Sequence, residues 1–158
     1  MAEIPPHPSV ALLHVLVGEW EVEFDNPLEP GARLRARASF AWMAGGRFLI
    51  QDEPADPPFP SGHSLFGRER PDDAESPLLM HYFDSRGVAR TYRVALRDRV
   101  WTIWRDGPGF AQRFRGTFSA DGATITGSWE RSDDGWSWEH DFNLTYRRAR
   151  RDGALGER

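Results

Sequence analysis

A chain of 158 residues with no cysteine is long enough to bury a core without disulfide or metal staples. The same absence removes thiol nucleophiles, thiolate zinc sites, iron–sulfur clusters and redox switching. All twenty basic residues are arginine, which excludes lysine Schiff-base chemistry, and a net charge of −4 with interspersed signs gives no basic face for nucleic acid.

In chain order, residues 1 to 8 carry three prolines and read as an extended lead-in, with Ser9 placed to cap a helix. Val10, Leu13, Leu16 and Val17 then recur at helical spacing, so a short helix is expected over 9–17, stopped by Gly18. The apolar run at 10 to 17 is too short to span a bilayer and lacks a basic leader, so the protein is read as soluble and cytoplasmic, with no membrane partner.

From Gly18 the periodicity changes to two. Trp20, Val22 and Phe24 alternate with acids, and Leu34, Ala36, Ala38, Phe40 and Trp42 alternate with Arg33, Arg35 and Arg37 in their first half. Further strands are expected at 46–52, 62–70, 78–84, 88–97, 99–105, 110–118, 123–132 and 136–148, each bounded by turn residues. The segment 52–62, with four prolines, breaks the pattern and reads as a loop. "MAGG" and "DDG" read as hairpin turns, and Asp84 as the start of another. About ten short strands, each with one wet face, predict a single all-β domain: an antiparallel up-and-down barrel over 18–148 with a short N-terminal helix and a polar tail.

The closing strand carries the densest pattern. Trp136, Trp138, His140, Phe142, Leu144 and Tyr146 occupy alternate positions, and the intervening residues are all polar. That parity points His140 and both tryptophans into the barrel, beside Ile125, Gly127 and Trp129 of the preceding strand, with Gly127 leaving space among the rings. Trp129, Trp138 and His140 are therefore expected to be buried, and Arg33, Arg35, Arg37, Glu139 and Asp141 exposed. An aromatic lumen with a few polar groups is the usual makeup of a small-molecule site. Its expected lining is Trp42, Tyr92, Trp104, Gln112, Trp129, Trp138 and His140, with Arg90 a further inward candidate. Side chains filling the same lumen would make a ligand-free structural or dimerisation module, and a homodimer stays open. His63 and His81 lie on neighbouring strands, but no spacing joins them to His140, so no metal set is assigned. No paired carboxylates or nucleophile–base pair stands out inside the barrel. An enzyme on this fold would use His140 as acid or base with Tyr92 or Asp84.

The helix followed by Gly18-Glu19-Trp20 resembles the opening of the calycin superfamily of lipocalins and fatty-acid-binding proteins. The resemblance implies that Trp20 plugs the closed barrel end and that Arg147 or Arg148 packs on its ring. "LVGEW", "FAWMAGGRFLIQ", "HYFDSRGVARTY", "FRGTFSADGATITGSWE" and "FNLTYRR" together resemble a bacterial family of uncharacterised lipocalin-like proteins, which implies a fold and no particular ligand. Nitrobindin-type haem barrels are similar in size and in a histidine near the last strand. Their glycine-rich opening is incomplete in "GEWEVE", and their ligating histidine falls on Asn143 here. Haem is thus kept only as an alternative, and no cofactor is otherwise assigned.

Overall fold

A computed structural model of the protein describes residues 3–149. It contains ten strands: β1 (Gly18–Asp25), β2 (Arg33–Trp42), β3 (Leu49–Glu53), β4 (Gly62–Arg68), β5 (Leu78–Asp84), β6 (Ala89–Arg97), β7 (Val100–Arg105), β8 (Ala111–Phe118), β9 (Thr124–Ser132) and β10 (Glu139–Arg148). Each pairs antiparallel with its sequence neighbours, and β1 pairs with β10, so the sheet closes into a barrel without free edges. The expected all-β, up-and-down barrel is the observed one. Arg33, Arg35 and Arg37 face solvent as their alternation requires, and so do Glu139 and Asp141. No helix among the described residues is long and apolar enough to cross a membrane.

The N-terminal helix is a 3-10 helix, Pro8–Leu16, in place of the α-type turns expected over 9–17. Val10, Leu13 and Leu16, all fully buried, recur every three residues, which is the 3-10 period. Its cap is His7, whose Nδ1 accepts the backbone N–H of Ser9 at 3.1 Å. Ser9, expected as the cap, is buried inside the helix and donates its hydroxyl to the Pro71 carbonyl at 2.7 Å.

This helix closes one end of the barrel. Trp20 is buried beneath it and donates Nε1 to the Leu16 carbonyl at 2.9 Å. Arg148 lies over the Trp20 ring at 4.2 Å and donates to the carbonyls of Val15 and Val17 at 2.5 and 2.8 Å. Gly18 has a φ of 131°, and a Cβ there would stand 3.0 Å from the guanidinium. Glycine, tryptophan and arginine thus form one device that ties helix, first strand and last strand together.

Candidate functional site

The barrel interior divides into two halves. The half under the helix is packed solid with Trp20, Phe40, Phe66, Trp101, Phe114, Phe118 and Ile125. Gly127 opens no space there: it pairs with Gly116, and a Cβ would meet the Phe114 ring at 2.8 Å and the Arg115 carbonyl at 2.7 Å. The two small residues accept a ring from their own sheet.

The other half is hollow. A cavity of about 530 Å³ extends from the rim to Trp101, within the range of small-molecule sites. Its apolar wall includes Val22, Phe24, Met80, Ile103, Trp129 and Phe142. Polar groups enter from two sides. On β6 and β8, Tyr92 donates its hydroxyl to Gln112 Oε1 at 2.6 Å, and Arg90 reaches the same oxygen at 3.3 Å while lying over the Phe110 ring at 5.1 Å. Burial raises the Tyr92 hydroxyl above its ordinary pKa, so it stays a donor. On β3 and β4, Gln51 and Ser64 are buried side by side, and Glu53 follows at the rim end of β3. Burial pushes the Glu53 carboxyl up to about 7, and neighbouring Asp52 adds to the shift. Tyr146, buried opposite, is also raised, first by burial and then by Glu53.

At the rim, Asp84 sits with its side chain wholly shielded, accepting from Arg86 and from the Tyr82 hydroxyl at 2.7 Å. The Arg86 contact, above all, holds the carboxyl far below the usual range. Asp84 also accepts the Arg86 backbone N–H, so the expected turn role is observed. "MAGG" is likewise a turn, with Met43 and Phe48 bonded across it.

Of the seven expected lining residues, the cavity gathers three: Tyr92, Gln112 and Trp129, the last half-buried. Four lie elsewhere. Trp42 belongs to the closed end, where it stacks on His14 and donates Nε1 to it at 3.0 Å. Trp104 is on the outer face opposite Arg93, and Trp101 takes the inward place. The two-residue turn at Asp98 and Arg99, both with positive φ, sets this register by pairing Leu96 with Trp101.

His140 and Trp138 are misplaced for a different reason. His140 pairs with Glu130 and Phe142 with Trp129, so Asp141 is an extra residue in a β-bulge. One inserted residue reverses parity: Phe142, Leu144 and Tyr146 point inward, whereas His140 is exposed outside. Trp138 lies half-buried under the Arg113 guanidinium at 3.9 Å. Trp136 is not in the strand at all; Asp134 captures its N–H and that of Ser137, and its ring is 88% exposed. β10 therefore starts at Glu139 instead of 136.

These positions remove the acid–base role assigned to His140. The cavity lining contains no histidine, and Asn143 is exposed, so a histidine-ligated haem does not fit this interior. Neither do His63 and His81 join His140, and no group of three metal-capable side chains occurs among the described residues.

Sequence alternation missed Gln51, Glu53, Ser64, Trp101 and Tyr146 as lining residues. On β3 both faces carry polar residues near the rim, so parity there has no apolar marker. Tyr146 was legible as inward but not as cavity-facing.

No family model matches the chain, and no curated protein matches it in sequence. Among solved structures it is similar to the crystal structure of Rv2717c from M. tuberculosis, with a TM-score of 0.58 and 14% identity. The match covers 92% of this chain and 99% of that one, and it is a likeness of fold.

Proposed function

We propose that this protein is a calycin-type barrel that binds a small, largely apolar molecule in its open half. The carrying observation is the asymmetry of the interior. Buried rings fill one half, yet the same barrel keeps a cavity of about 530 Å³ lined by apolar walls and by oriented polar side chains. A barrel that needed only a core would continue the packing. The Tyr92–Gln112–Arg90 group supplies a fixed hydrogen-bonding edge, and the proline-rich loop contributes Pro54, Phe59 and Pro60 to the entrance.

Intrinsic tryptophan fluorescence tests this, because Trp101 and Trp129 both line the cavity. Titration with fatty acids, flavonoid-like aromatics and haem is expected to quench or shift the emission for an apolar class. Trp129→Phe should reduce that response. No change with any member of the panel would sink the reading.

A further inference from the structure

We propose that the molecule held in the cavity bears a basic N–H group received by Glu53, placing it among arylalkylamines in preference to acids. The inference rests on the reading of the cavity as a binding site.

Five charged residues line the cavity: Asp25, Glu53 and Asp141 against Arg86 and Arg90. The cations are committed to the protein. Arg86 is neutralised by Asp84, and Arg90 is spread between Gln112 and the Phe110 ring. Asp25 accepts the backbone N–H of Asn143 at 2.9 Å. Glu53 has no such engagement among the described residues; burial and the like charge of Asp52 are what act on it. The surplus charge is therefore negative, and of the two acids without a partner among the described residues, Asp141 is exposed whereas Glu53 is half-buried, which favours a cation at Glu53.

Trp101 closes the inner end of the cavity. It is 1% exposed, it lines the cavity, and its Nε1 is a buried donor without a partner. Phe40, Phe66, Phe114 and Tyr146 surround its ring, and aromatic carbon offers that N–H no acceptor of ordinary strength. That N–H is shut off from the cavity by these rings, and the basic nitrogen of the bound molecule meets Glu53 nearer the rim.

Calorimetric titration with naphthylmethylamine, naphthylmethanol and naphthoate separates the possibilities on one apolar body. The amine is expected to bind about tenfold or more tighter than the other two, as a charge-assisted bond provides. Glu53→Gln should erase that preference, and Glu29→Gln, on an exposed loop, should keep it.

The amine's advantage should also fall as pH drops from about 8 to about 5.5, because Glu53, raised to about 7, takes up a proton while the amine keeps its own. Across this range Tyr146 and Tyr82 stay neutral and Asp84 stays ionised against Arg86, while His63 lies 3.2 Å from Asp52 on the adjoining strand. Asp52, Asp25, Asp141 and Arg90 complete the surrounding charges. Preference for naphthoate, equal binding of all three, or persistence of the preference in Glu53→Gln would overturn the amine assignment while leaving a binding cavity. Absence of heat from every probe would overturn the cavity reading as well.

Discussion

Glu53 sets the balance between stability and the site. Its folded pKa, near 7, exceeds the ordinary 4.5, so the native state binds the proton more tightly than the unfolded chain does. The stability this contributes is fully present below about 4.5 and is lost as pH rises through 7. Glu53→Gln should therefore stabilise the protein at about pH 8 by roughly 1–3 kcal/mol and change little at about pH 4.5, as urea unfolding at the two values would show. His140 provides the opposite case. Exposed on the outer face, its replacement by alanine should shift stability by less than about 0.5 kcal/mol and leave ligand titrations unchanged. Tyr92, Gln112 and Trp129 were legible as lining residues because unbroken alternation runs through their strands. His140 was not, because the bulge at Asp141 obeys local backbone geometry and leaves no mark on the apolar–polar pattern.

At the scale of elements, nearly every strand was readable, since each has one face in water and one in the core. The helix was recognisable as a helix, but three buried positions do not distinguish a period of 3.0 from 3.6, and its 3-10 form follows from its seat on the barrel end. Two small elements of the sheet carry heavy constraints. Gly127→Ala should destabilise the fold by about 1–3 kcal/mol, because the added methyl meets backbone atoms of β8 that cannot move aside; thermal unfolding would measure it. Arg148→Met keeps length and apolar bulk but loses the carbonyl bonds to Val15 and Val17 and the contact with Trp20. Its expected cost is about 1–2 kcal/mol.

For the molecule as a whole, the closed circuit of strands explains why fold was easier to read than ligand. Repeated local alternation specifies a barrel, whereas the cavity depends on which inward residues leave volume unfilled, a quantity that belongs to packing across strands distant in sequence. Nine of the ten strand pairings join consecutive strands, and β1 with β10 is the remaining one. The nine are short-range closures that form early at small entropic cost; the tenth joins positions such as Trp20 and Arg148 across nearly the whole chain. The latch at Arg148 consequently governs how long the protein stays shut more than how fast it assembles. In stopped-flow measurements the loss in Arg148→Met should appear almost entirely as faster unfolding, with the refolding rate nearly unchanged, and a matching slowdown in refolding would place the seam in the transition state instead.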